Sequence, residues 1–105
     1  MDQASLAQAL ERSLQSHGPL EGSVWLCITD LGHLRVEQNG ALPCDEGSDC
    51  NATIIVHRDH FERIVEGKLD PISALMSGKV RIKGNLAAAA RLAKILGKAR
   101  EDGVI

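Results

Sequence analysis

Apolar residues keep a helical period at the two ends of this 105-residue chain and an alternating one between them. Leu6, Leu10 and Leu14 recur every fourth residue among Gln8, Glu11, Arg12 and Gln15, which predicts an amphipathic helix over 3–16. Asp2 fits its N-cap, and the run His17-Gly18-Pro19 ends it, because proline cannot continue a helix. The stretch SVWLCITD (23–30) is continuously apolar and β-branched, as in a strand covered on both faces. After a turn at 30–33, residues 33–38 alternate, with Leu34 and Val36 inward and Arg35 and Glu37 outward, so the two strands read as a hairpin. Asn39-Gly40 is a second turn signal, followed by a short edge strand containing Pro43.

Beyond an acidic loop (45–49), NATIIVH (51–57) is again a β-branched strand. Asp59 and Glu62 form a capping pattern for a short helix with Phe61, Ile64 and Val65 on its apolar stripe and Gly67 just past its end. DPISALMSG (70–78) repeats that grammar, with Asp70 as N-cap, Pro71 at the first helical position and Gly78 beyond the last. KVRIKG (79–84) alternates with Val80 and Ile82 inward, and Asn85 caps a final helix. Hairpins followed by a run of helices predict one α+β domain over 1–105, its helices gathered on one face of a mainly antiparallel sheet.

The final helix has an unusual apolar face. At about 100° per residue, Arg91, Lys94 and Lys98 cluster on one side, while Leu86, Ala88, Ala89, Ala90, Leu92, Ala93, Ile95 and Leu96 spread over roughly 220°. One sheet face needs a stripe of little more than ~100°. The helix therefore meets two apolar neighbours. Ala89, Ala90 and Ala93 sit where a core helix normally carries leucine, which implies close backbone approach or a space beneath the helix. Periodicity alone leaves both open.

Composition narrows the function classes. Trp25 and Phe61 are the only aromatics, which argues against stacking on single-stranded nucleic acid. Residues 79–100 hold seven cations and no acid, whereas residues 1–78 hold five cations and twelve acids. That asymmetry suits an anionic partner for the C-terminal third. No apolar run is long enough to span a membrane, and Asp2, Glu11 and Arg12 interrupt any signal-like start. With three cysteines, an odd count, and no export signal, the expectation is a cytoplasmic protein with reduced thiols. His57, His60, Cys44 and Cys50 lack the spacing of a zinc site, and no catalytic or cofactor motif occurs, so neither metal nor cofactor is expected.

The segment GKLDPISALMSGKVRIKGNLAAAARLAKIL (67–96) resembles the C-terminal signature of the sterol carrier protein type two family. Its order is a helix ending in Gly-Lys-Leu-Asp-Pro, a short helix ending in Met-Ser-Gly-Lys, an alternating strand ending in Lys-Gly, and an Asn-capped alanine helix. Upstream, CNATIIVHRDHFERIVEGKLDP (50–71) continues the likeness, with Asn51 where aspartate is commoner. The resemblance implies a sterol-carrier-like sheet of about five strands covered by helices, with an apolar tunnel between them that carries fatty acids, acyl-CoAs, phospholipids or sterols without catalysis. By position, the implied tunnel lining is Phe61, Ile64, Ile72, Leu75, Met76, Leu86, Ala89, Ala90, Ala93 and Leu96. Lys83, Arg91, Lys94 and Lys98 are the cations that would meet a lipid headgroup or an anionic membrane. Two alternatives stand beside this: an interaction module whose wide apolar helix packs against a second copy as a homodimer, and an accessory domain presenting a lipidic substrate to a partner enzyme.

Overall fold

The computed structural model describes residues 2–38, 40–45, 49–101 and 103. Its elements follow the order α1 (Gln3–His17), β1 (Val24–Thr29), β2 (Gly32–Val36), β3 (Ala41–Pro43), β4 (Ala52–His57), α2 (Arg58–Val65), α3 (Pro71–Met76), β5 (Val80–Gly84) and α4 (Leu86–Glu101). Asn39 of the second turn and residues 46–48 of the acidic loop lie outside the described residues.

Five strands form one sheet in the order β3-β2-β1-β4-β5. Three pairings are antiparallel, and β1 runs parallel to β4, with Val24 opposite Ala52 and Ile28 opposite Val56. The sheet is thus mixed but mostly antiparallel. β1 sits at its centre, which accounts for the unbroken apolar run in its sequence. One face carries all four helices over a core that includes Leu10, Leu14, Leu26, Leu34, Phe61 and Leu92.

Between edge strand β3 and β4, Cys44 and Asp49 lie against the other face of the sheet. Trp25 Nε1 donates to the Cys44 carbonyl at 3.1 Å, and both guanidinium NH groups of Arg35 donate to the Asp49 carboxylate, at 2.5 and 3.0 Å. These contacts strap Cys44 and Asp49 across β1 and β2. Cys27 is buried at the centre of the sheet, and Trp25 stacks on His33 with ring centroids 5.1 Å apart.

Local chemistry sets the helix ends. Asp2 caps α1 through Ser5 N–H (2.7 Å), and Asp70 caps α3 through Ser73 N–H (3.0 Å). Gly67 and Gly78 follow α2 and α3 with φ of 76° and 80°, as predicted for residues just past a helix. α2 departs from expectation. His57, not Asp59, is its N-cap: Nδ1 accepts the Asp59 N–H at 3.2 Å, and Glu62 pairs with Arg58 at 3.1 Å. β4 runs straight into the helix, so the residue still in extended backbone, with φ −73° and ψ 145°, takes the cap.

The corner between β5 and α4 is tied at Asn51. Its Oδ1 accepts from Ser23 N (2.9 Å), and its carbonyl accepts from Asn85 N (2.9 Å). Gly84, at φ 86°, passes so close to that carbonyl that a Cβ would collide with it. Only glycine makes this turn. Asn85 then caps α4 through Ala87 N–H at 2.9 Å and starts the alanine helix directly over β5.

Candidate functional site

Between the sheet and helices α2–α4 lies a cavity of about 190 Å³ whose lining is entirely apolar. Its floor is the inward face of three adjacent strands: Leu26 of β1, Ile54 and Val56 of β4, and Val80 and Ile82 of β5. Phe61 and Ile64 of α2 wall one side, Ile72 and Leu75 of α3 another. α4 closes it with Leu86, Ala89, Ala90, Ala93 and Leu96. The lining is most open at Ile72 and Leu86, 58% and 61% exposed, which marks the mouth between α3 and the start of α4.

The two neighbours of α4 are now defined. Ala88, Leu92, Ile95 and Ala99 are buried on the arc that packs toward α1 and the sheet. Leu86, Ala90 and Ala93 occupy the adjoining arc beside the cavity, and Ala89 and Leu96 belong to both. All three alanines border the cavity, and Ala89 is at the same time buried in the core. Ala90 is exposed and Ala93 half-buried.

Nine of the ten residues implied as lining come together around this cavity. Met76 does not. It is 84% exposed and outside the lining. α3 is a helix of six residues whose inward side is Ala74 and Leu75, and Met76, its last residue, stays in solvent. The five floor residues were not among those implied. Their signal was available in part, because the alternation turns Val80 and Ile82 inward, beneath a helix with a wide apolar arc.

The cations separate into two groups. Lys83 is exposed on β5, opposite Thr53, on the face of the sheet away from the cavity. Arg91, Lys94 and Lys98 are exposed on the side of α4 turned away from the cavity, where Arg91 donates to the His17 carbonyl (3.0 Å) and Lys98 meets Glu101 at 3.5 Å. Titratable groups lie elsewhere in the fold. Burial, with a contribution from Cys50, pushes the Cys27 thiol up, which keeps it protonated and unreactive. Asp49 is held below the usual carboxylate range by its hydrogen bond from Arg35. Among the described residues, no three His, Cys, Asp or Glu side chains converge on a metal-ion position, and no helix is long and apolar enough to cross a membrane. The lining of apolar side chains suits the cavity to an apolar group.

The profile of the SCP-2 sterol transfer family matches residues 5–97. The chain belongs to that family. A hydroxysteroid dehydrogenase-like protein 2 of Bos taurus is 38% identical over 60 residues, which make up 56% of this chain and 14% of that protein. A fatty acid-binding protein of Yarrowia lipolytica is 35% identical over 54 residues, 51% of this chain and 42% of that one. The chain thus spans about a seventh of the first relative and less than half of the second. The solution structure of palmitated SCP2L2 from Aedes aegypti superposes with a TM-score of 0.70 at 20% identity, over 91% of this chain and 95% of that one. The five-stranded sheet with its helices is thus shared with that structure over nearly the whole chain.

Proposed function

We propose that this SCP-2 domain binds a lipid with an acyl or comparably apolar chain in the cavity beneath α4, and carries it without catalysing a reaction. The observation that carries this reading is the cavity itself: about 190 Å³ lined only by apolar side chains, in a domain otherwise packed to its core. Unfilled, such a space leaves the side chains around it without contact partners on one side. An apolar ligand that fills it regains that contact. Each methylene moved out of water contributes about 0.8 kcal/mol more. Such binding needs no polar anchor inside, so the headgroup stays at the mouth.

An engineered cavity of roughly 150 Å³ takes up a benzene molecule, so this cavity as it stands holds only part of a long acyl chain. A longer chain is accommodated as α3 and α4 part from the sheet or as its end emerges at the mouth. The Yarrowia lipolytica relative is named a fatty acid-binding protein and the Aedes aegypti neighbour is palmitated, which favours a fatty acyl chain as the ligand. The dehydrogenase-like relative matches over a seventh of its length, so the reading for this chain is carriage or presentation of a lipid, not turnover.

The test is displacement of a fluorescent fatty acid by Ala93→Phe. Ala93 borders the cavity and is only half-buried, so a ring has room to enter. Binding should fall at least tenfold while the apo protein stays folded with unchanged or slightly raised thermal stability. Absence of fatty-acid binding by the parent, together with destabilisation of the variant by about 1–3 kcal/mol as in an overpacked core, would refute carriage and favour a dry interaction module.

A further inference from the structure

The two edges of the sheet are built differently. β3 has three residues, one of them Pro43, and α1 packs against it. Short length, proline and a covering helix are the usual guards of an edge strand. β5, at the opposite edge, runs for five residues without a proline. It pairs with β4 on one side, from Gly84 opposite Ala52 to Val80 opposite Val56. Hydrogen bonds to other elements bracket the strand: Lys79 N–H to the Ala74 carbonyl and Asn85 N–H to the Asn51 carbonyl, both 2.9 Å. Among the described residues, none outside β4 bonds to the backbone of Val80–Gly84. The strand thus presents alternating N–H and C=O groups along one open side.

Side chains add a charge pattern to that edge. Val80 and Ile82 turn inward to line the cavity, so Arg81 and Lys83 stand on the face opposite the helices, beside Ile55 and Thr53 of β4. Lys79 lies one period earlier, and all three cations are exposed. Among the described residues, none of the three has an ion-pair partner.

We propose that β5 is the docking edge for an extended acidic segment of a partner protein, which adds a strand to the sheet. Alternate Asp or Glu side chains of that segment lie beside Arg81 and Lys83, and the residues between them, turned toward the helices, are apolar. Strand addition draws affinity from main-chain hydrogen bonds and specificity from alternate side chains. The edge chemistry selects a peptide over other anions. Every second group that β5 presents is a carbonyl, which repels a phosphate, whereas a strand supplies both N–H and C=O at matching spacing. A second copy of this chain fits less well, because β5 against β5 sets Arg81 and Lys83 beside their own counterparts, and like charges on neighbouring strands destabilise the pair. The cations that disfavour self-pairing therefore admit an acidic strand. This docking is independent of the lipid reading, although Val80 and Ile82 place it beside the cavity floor.

The experiment is NMR titration of the 15N-labelled full chain at low salt with a synthetic end-blocked peptide of alternating glutamate and valine. Two comparison probes are the same peptide N-methylated at every residue and a lysine–valine peptide of equal length. The glutamate peptide should shift the β5 amides and slow hydrogen exchange of those on the open side, leaving the β3 amides unchanged. The methylated peptide, of equal charge, should bind at least about tenfold more weakly, since it has no N–H to donate. Lys79→Glu with Arg81→Glu and Lys83→Glu should weaken the glutamate peptide by about tenfold and gain binding of the lysine peptide. That gain also shows the variant to be folded. Equal binding of the methylated peptide would overturn strand addition and leave charge attraction alone. Shifts centred on Arg91, Lys94 and Lys98 would overturn the location. A parent that binds no glutamate peptide would overturn the proposal outright. Protection of the β5 edge that rises with concentration of the free protein would overturn it in favour of a second copy.

Discussion

The inner face of the sheet has two halves that differ in what lies over them. α1 covers the β3-β2 side with Leu6, Leu10 and Leu14, each no more than 1% exposed, above Leu34, Val36 and Ala41. α4, of nearly the same length, covers the β4-β5 half with Ala89, Ala90 and Ala93, and there a cavity of about 190 Å³ remains. The floors are alike in kind, since Ile54, Val56, Val80 and Ile82 are as apolar and as branched as their counterparts under α1. The difference is the volume of the covering side chains. Leucine fills the space between a helix and a sheet to interior density, and alanine does not. The domain therefore keeps one half for stability and holds the other half open.

Truncating the solid half should be costly. Leu10→Ala removes a fully buried side chain from a packed site and should lower stability by about 2–5 kcal/mol in denaturant unfolding. Ile64→Ala, beside a cavity already present, should cost less than half as much. Equal losses would mean that the two halves are equally packed.

Enlarging side chains should separate the halves by sign. Ala41→Leu, at 3% exposure beneath α1, should destabilise by about 1–3 kcal/mol through overpacking. Ala93→Leu, on the cavity side of α4, should leave the apo midpoint unchanged or raise it.

A smaller effect should come from the rim of the open half. Asp70→Ala removes the cap of α3 and should cost about 1 kcal/mol. It should also speed hydrogen exchange of the α3 amides without touching those of α1. An unchanged midpoint would mean that the Asp70 carboxylate contributes nothing to the start of α3.

The weakest contrast concerns the strap over the outer face. The Asp49 carboxyl is held below its ordinary pKa of 3.8 by Arg35. A group depressed in the folded state stabilises above its unfolded pKa and loses that contribution as pH falls through the folded one. Asp49→Asn should therefore loosen the strap at neutral pH, and the difference from the parent should vanish as pH drops below about 4, toward the lowered folded value. Trp25, the only tryptophan and a donor to Cys44 in the strap, reports this by its fluorescence. Fatty-acid binding in the opposite layer should not follow it.

Much of this contrast is legible in the residue pattern, for physical reasons that also set its limit. The leucine stripe of α1, the Asp70–Gly78 grammar of α3 and the width of the α4 arc all arise from interactions within one element, and such interactions leave a period in the sequence. The parallel pairing of β1 with β4 does not, because alternation fixes which face a residue takes and not which strand lies beside it. The floor of the cavity escaped for the same reason: Val80 beside empty space and Val36 beneath α1 have identical local patterns. Met76 shows the limit within a single turn of helix, since its side of α3 depends on how that helix is docked. His57 took the cap predicted for Asp59 because β4 abuts α2 without a loop, and that junction is set by the sheet.

The central claim is that an acyl chain occupies the half under α4 and no other part of the molecule. Its most direct test is intermolecular NOE measurement on the protein bound to 13C-labelled fatty acid, read at the methyl groups of Ala90, Ala93, Ile64 and Val80 and at those of Leu6, Leu10 and Val36. The account predicts acyl-chain NOEs to the first set and none to the second. NOEs to the leucines of α1, or a saturated complex without NOEs to Ala93, would contradict it.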